Sequence, residues 1–67
     1  RGFLLRDKDW AYIQYAEAAA KGIELFDMHK DPLQYTNLAG DPKYDKIVTG
    51  FKAQLKAKLA AVRRNDL

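Results

Sequence analysis

The feature that most restricts the fold is a long run of apolar residues at helical spacing in the C-terminal third of the chain. Large apolar residues recur there in steps of three and four, at Tyr44, Ile47, Val48, Phe51, Leu55, Leu59 and Val62. This spacing places them on one face of an α-helix. Asp41 is a favourable N-cap and Pro42 a favourable first helical residue. The sequence therefore predicts one helix from about residue 42 to about residue 64.

Three short segments upstream have the composition of β-strands. Phe3–Leu5 and the aromatic-rich Trp10–Tyr15 flank the polar Asp7–Asp9, an arrangement typical of a β-hairpin. Ile23–Asp27 is predicted to be a third strand, and Ala16–Lys21 a loop that joins it to the hairpin. The predicted fold class is α+β, with a small antiparallel sheet of about three strands and the long C-terminal helix packed on one face.

The length of the chain allows one domain, so residues 1–67 are interpreted as a single domain. A chain this short has little core, and it contains no cysteine for disulfides or for a Cys/His zinc site. No apolar run approaches the roughly 18 residues of a membrane span, so no membrane partner is expected. The strand-like residues at the beginning suggest a fragment of a larger protein.

The positive charge is concentrated in the predicted helix. Residues 1–40 carry a net charge of −1, whereas residues 41–67 carry seven basic and three acidic side chains and a net charge of +4. Such a helix can bind an acidic partner. A solvated lysine-rich face is the more common explanation, and no nucleic-acid-binding motif is present, so no nucleic-acid partner is expected.

Reactive side chains are scarce. The chain has no cysteine and no serine, and nothing brings its threonines together with His29 as a catalytic triad would require. Asp27, His29 and Asp31 form a D-x-H-x-D pattern, which on an extended strand is compatible with a metal site. The favoured interpretation is that Asp27 ends a strand, Asp31 caps a turn and His29 is solvated, because a short triplet has many false matches.

Five aromatic residues could line a ligand groove, but in a small protein they more often form the core because they bury the most area per residue. These residues are Trp10, Tyr12, Tyr15, Phe26 and Phe51. The core interpretation is favoured.

The stretch GIELFDMHKDPLQYTNLAGDPKY, residues 22–44, resembles the C-terminal end of the sulfatase family, within the alkaline-phosphatase-like superfamily. The matching motifs are Glu24–Asp27, Asp31-Pro32 and Asn37–Ala39, with Phe26 in place of the commoner tyrosine. Together with the upstream hairpin they are most similar to the iduronate-2-sulfatase-like branch. The resemblance covers nearly the whole chain.

The resemblance implies a parent enzyme that is a sulfuric ester hydrolase acting on a sulfated glycan. Such an enzyme uses a formylglycine made from cysteine or serine in a C/S-x-P-x-R motif, and a calcium-type divalent ion beside it. These motifs do not occur in the 67 residues, so no catalytic, cofactor-binding or metal-binding role is assigned to any residue here. The parent is expected to be secreted or periplasmic, or lysosomal if eukaryotic.

The roles that the resemblance does transfer are structural. Four residues are expected to fix the loop before the helix: Asp27, Asp31, Pro32 and Asn37. Four others are expected to hold the helix on the sheet: Leu25, Leu38, Phe51 and Leu55. The expected function is that of a non-catalytic C-terminal subdomain, which completes the fold and the substrate-side wall of the parent.

Two partners are expected: the remainder of the parent, and a second copy of the chain bound through an exposed strand edge. The alternative is a stand-alone interaction module that binds an acidic partner through its basic helix or through the aromatic face of its sheet.

Overall fold

A computed structural model describes residues 2–16 and 22–65, with side chains up to residue 63. Three β-strands are followed by a 3₁₀ turn and a long α-helix. The elements are β1 (Phe3–Arg6), β2 (Trp10–Gln14), β3 (Ile23–Asp27), the 3₁₀ turn Pro42–Tyr44 and α1 (Asp45–Asn65). The predicted α+β class, with a three-stranded antiparallel sheet and one C-terminal helix, is confirmed.

The strands pair in sequence order, with β2 in the centre and both pairs antiparallel. The β1–β2 turn is tight because the Asp7 carboxylate accepts hydrogen bonds from the backbone N–H groups of Asp9 and Trp10, both at 2.8 Å. Beyond β2, the backbone N–H of Tyr15 donates to the carbonyl of Gly22 at 3.0 Å. Residues 17–21, most of the predicted loop, lie outside the described residues.

Helix α1 lies on one face of the sheet, and the core forms between the two. Tyr12 and Leu25 on the sheet are fully buried, and they pack with Leu5 and with three helix residues, Val48, Phe51 and Leu55. The rings of Tyr12 and Phe51 stack with centroids 5.3 Å apart and planes within 7°.

The residues expected to hold the helix on the sheet are all found in or against this core. Leu25, Phe51 and Leu55 are core members, and Leu38 packs against them from the connecting loop. Most of the aromatic residues also pack as a core, as predicted. Phe26 is buried on the opposite sheet face, and Tyr15 is exposed.

The helix begins with a tighter turn than the sequence predicts. Asp41 accepts a hydrogen bond from the backbone N–H of Lys43 at 3.0 Å, and its carbonyl accepts from the N–H of Tyr44. That second bond has the i to i+3 spacing of a 3₁₀ turn, so the α-helix proper starts at Asp45 rather than Pro42. The rings of Tyr44 and Trp10 form a T-shaped contact, with centroids 5.8 Å apart and an interplanar angle of 68°. This contact fixes the N-terminal end of the helix on the sheet.

The C-terminal end of the helix extends beyond the core. Leu59 is the last helix residue that packs against the core, and Val62, predicted to share the buried face, is 56% exposed. The 21 residues of α1 make a helix of about 31 Å, whereas a five-residue strand is only about 17 Å long. The prediction was therefore wrong for Val62, because the sheet is shorter than the apolar stripe.

Candidate functional site

The residues of the D-x-H-x-D pattern lie where β3 enters the long connection to the helix. Oδ1 of Asp27 accepts hydrogen bonds from the backbone N–H groups of His29 at 2.9 Å and Lys30 at 3.0 Å. The bond from Lys30, followed by that from His29, lowers the pKa of Asp27. Asp27 thus ends the strand by capping the turn, as the favoured interpretation predicted.

Asp31 has the same kind of role further along the connection to the helix. Its Oδ1 accepts from the N–H of Tyr35 at 2.9 Å, and its Oδ2 from the N–H of Thr36 at 2.8 Å. The carbonyl of Asp31 also accepts from the N–H of Gln34, which closes a turn with Pro32 in its second position. The two loop carboxylates therefore bind backbone and hold the loop in shape.

His29 is paired, which the sequence did not predict. Its Nε2 lies 2.6 Å from Oδ1 of Asp9 in the β1–β2 turn, and the two side chains are 68% and 46% exposed. The hydrogen bond that His29 donates to Asp9, reinforced by the charge of the carboxylate, raises the pKa of His29. The contact arises because the antiparallel register brings the start of β2 beside the end of β3, where Met28 N–H donates to the carbonyl of Asp9.

The groups implied by the sulfatase resemblance do not fit the residues of this chain. A formylglycine requires a cysteine or serine precursor, and the sequence has neither. Within residues 2–16 and 22–65, no three acidic or histidine side chains are grouped so that they could hold a metal ion.

Asn37, in the middle of the N-L-A motif, covers the outer edge of β3. Its Oδ1 accepts from the N–H of Leu25 at 3.0 Å, and its Nδ2 donates to the carbonyl of Ile23 at 3.2 Å. The N–H of Leu38 adds a bond of 2.8 Å to the carbonyl of Leu25. The amide side chain thus satisfies a strand edge as a neighbouring strand would, and this accounts for the expected role of Asn37 in the loop.

At the opposite edge of the sheet, along β1, alternate residues direct their backbone groups away from β2. In an antiparallel ladder, alternate residues direct their N–H and C=O groups towards the partner strand. Because Asp7 pairs with Trp10 at the turn, the next pairs in the ladder are Leu5 with Tyr12 and Phe3 with Gln14. The main-chain groups of Leu4 and Arg6 therefore point outwards, and among the described residues no further strand pairs with them.

Beside this open edge, one face of the sheet is not covered by the helix. The Leu4 side chain is 58% exposed, and it lies opposite Ile13 on that face. Tyr15, further along the same face, is also exposed. The uncovered apolar surface and the open β1 edge adjoin each other.

Two sulfatases are similar to most of this chain. A Delta 4,5-hexuronate-2-O-sulfatase from Bacteroides thetaiotaomicron is 44% identical over 54 residues, which is 81% of this chain and 11% of the relative. Arylsulfatase K from Bos taurus is 31% identical over 55 residues, which is 82% of this chain and 10% of the relative. The chain thus spans about a tenth of the length of these relatives, and its resemblance to a C-terminal region of sulfatases is confirmed.

No family model matches the chain, and no solved structure matches it. Among the described residues, no helix has both the length and the apolar character needed to cross a membrane.

Proposed function

From the relationship of this chain to sulfatases, we propose that it is a non-catalytic C-terminal subdomain of a sulfatase, which completes the fold and the substrate-side wall of the parent enzyme. The observation that carries the proposal is the 44% identity to a sulfatase over four-fifths of this chain but only a tenth of the relative. The loop carboxylates support it, because Asp27 and Asp31 bind backbone N–H groups.

The chemistry of the parent is assigned to polypeptide outside these 67 residues. There a formylglycine and a calcium-type divalent ion would supply the sulfate ester hydrolysis. The substrate class that we propose is a sulfated glycan containing uronic acid, supported by the name of the bacterial relative. The iduronate-2-sulfatase-like branch and a secreted or periplasmic location belong to the same proposal.

The surface that contacts the rest of the parent is proposed to be the open β1 edge with the uncovered sheet face around Leu4. Open edges pair readily with other strands, and exposed apolar surface favours burial. The β3 edge is unsuitable for this purpose because Asn37 and Leu38 already occupy its hydrogen-bonding groups. In the isolated chain, the same β1 edge is expected to bind a second copy.

The coding sequence upstream of Arg1 tests the main proposal. A C-x-P-x-R or S-x-P-x-R motif a few hundred residues earlier in the same reading frame is the expected result. A start codon close to Arg1 would contradict it and favour the stand-alone interaction module. The chain is also expected to leave an aryl sulfate unhydrolysed, and turnover by the purified 67-residue chain would refute the non-catalytic role.

The contact surface has its own test in size-exclusion chromatography with light scattering. We expect the chain to associate as its concentration rises, and Leu4→Lys to abolish this by placing a charge beside the open edge. Leu33→Lys is the matched control, since Leu33 is also exposed but lies in the loop. A monomer at every concentration, or equal effects of the two substitutions, would show that the β1 edge is not the contact.

The alternative function, binding of an acidic partner, is favoured by one observation. Helix α1 carries several exposed lysines and a single acidic residue, Asp45, in its first turn. This surface is compatible with the subdomain role, because it lies on the helix, whereas the proposed contact with the parent is the β1 edge of the sheet.

A further inference from the structure

After its first residue, helix α1 carries charge of one sign, which is positive. Between Asp45 and the end of the helix there is no acidic residue, while basic residues occur at Lys46, Lys52, Lys56, Lys58 and then in the last turns. These four lysines are exposed. Within the described part of the chain, the structure shows no ion pair between these four lysines and a carboxylate.

Two of the lysines lie on one flank of the helix. Lys52 and Lys56 are four residues apart, which brings them about 6 Å apart along the axis and within about 40° around it. Arg63 lies on the same flank about 10 Å further along, by the same helical geometry. Lys46 lies about 80° from Lys56, and Lys58 lies about 120° from Lys52 in the opposite direction. We call Lys52, Lys56 and Arg63 the basic flank.

Helix stability does not explain Lys52 and Lys56, the two residues of the basic flank that lie far from the end of the helix. Like charges at i and i+4 destabilise a helix by about 0.2–0.5 kcal/mol, so Lys52 and Lys56 act against the element that carries them. The helix dipole favours cations only within the last turn, and Lys52 is 13 residues from Asn65. Residues that destabilise their own helix without a structural benefit are characteristic of a functional surface.

We propose that the basic flank binds a sulfated, uronic-acid-containing polysaccharide. The inference rests on the proposed function, which supplies the class of ligand, and on the charge complementarity between the flank and a linear polyanion. Single-stranded nucleic acid is a less suitable polyanion, because it is held by aromatic stacking as well as charge. The helix from Lys52 to Arg63 contains no aromatic residue.

The experiment is a titration of the 67-residue chain with heparin, a sulfated uronic-acid polysaccharide, at salt concentrations from about 50 to about 200 mM. The test variant is Lys52→Gln with Lys56→Gln. The matched control is Lys46→Gln with Lys58→Gln, which removes the same charge from other sides of the helix. Glutamine keeps the helix propensity of lysine, and circular dichroism checks that both variants remain folded.

The flank variant is expected to bind heparin about tenfold more weakly. The slope of log affinity against log salt should fall by about two, one for each ionic contact removed. The control should weaken binding by less than about threefold. Desulfated heparin should bind more weakly than heparin to the unmodified chain.

Several results would overturn the inference. Equal losses in the two variants would mean that net charge alone governs binding. Equal affinity for single-stranded DNA of matched charge, or for desulfated heparin, would remove the specificity for sulfated sugar. The absence of heparin binding at low salt would also contradict it. None of these results affects the proposed subdomain role, which is tested by the upstream coding sequence and the β1 edge.

Discussion

The two ends of α1 have the same amphipathic pattern but different surroundings. From Tyr44 to Leu59 the apolar side chains lie on the sheet, where Phe51 is 6% exposed. In the next turn, Val62 continues the pattern but is 56% exposed. The difference teaches that periodicity determines which residues share a helix face, whereas the length of the opposing sheet determines which of them are buried.

The N-terminal end of the helix is also fixed by its connection to the sheet. Three contacts close together in the sequence fix this end. Asn37 hydrogen-bonds to β3, Asp41 caps the first turn, and Tyr44 packs against Trp10. The stability of the domain should therefore be concentrated at this end, and four changes test that expectation.

The largest effect is expected from the centre of the packed region. Phe51→Ala removes the ring that stacks on Tyr12 and should lower the free energy of unfolding by about 3–5 kcal/mol. Val62→Ala, on the extended end, should change it by less than about 0.5 kcal/mol. Urea denaturation followed by circular dichroism measures both. If Phe51→Ala does not fold, Phe51→Leu provides a milder change, because leucine keeps most of the apolar volume and leaves a smaller cavity. Similar losses at positions 51 and 62 would contradict the comparison.

The second effect concerns the covered edge of β3. Asn37→Ala leaves the N–H of Leu25 and the carbonyl of Ile23 without their side-chain partner, at a cost of about 1–3 kcal/mol. The matched control is Thr36→Ala, since the loop uses the backbone N–H of Thr36 rather than its hydroxyl. A neutral Asn37→Ala in the same denaturation measurement would mean that Leu38 alone is sufficient to cover the edge.

The third effect is the loss of the helix cap. Asp41→Ala removes the acceptor for the N–H of Lys43 and should destabilise the domain by about 1 kcal/mol. Asp41→Asn keeps a capping oxygen and should remain close to the unmodified protein. Thermal unfolding of the two variants side by side gives the comparison, and equal destabilisation would show that charge rather than capping matters.

The smallest effect is the pH dependence of the exposed His29–Asp9 pair. Because the pKa of His29 is raised in the folded state, its stabilising contribution is complete below the ordinary histidine pKa of about 6.5. The contribution is lost as the pH rises through the folded-state pKa of His29. Urea midpoints across this range should fall more for the unmodified chain than for His29→Gln. Parallel pH profiles would mean that the pair contributes nothing.

Much of the fold could be predicted, because the strands and the helix follow from patterns among residues that are close in the sequence. The bounds of β3 and the residues that face the helix follow from short-range alternation and helical spacing. The composition likewise excluded a formylglycine precursor. The contacts that organise the candidate site could not be predicted in the same way. Asp9 and His29 are 20 residues apart, and Asn37 reaches residues 12 and 14 positions earlier, so these contacts depend on the register of the sheet.

Hydrogen exchange of the α1 backbone amides tests most directly whether the helix is held on the sheet as far as Leu59 and not beyond it. We predict the strongest protection from Val48 to Leu59, and protection weaker by about tenfold or more from Val62 to Asn65. Uniform protection along the whole helix would mean that its end is covered as well. Rapid exchange from Val48 to Leu59 would mean that the helix does not pack on the sheet, and this would contradict the helix-on-sheet core from which the proposed function is built.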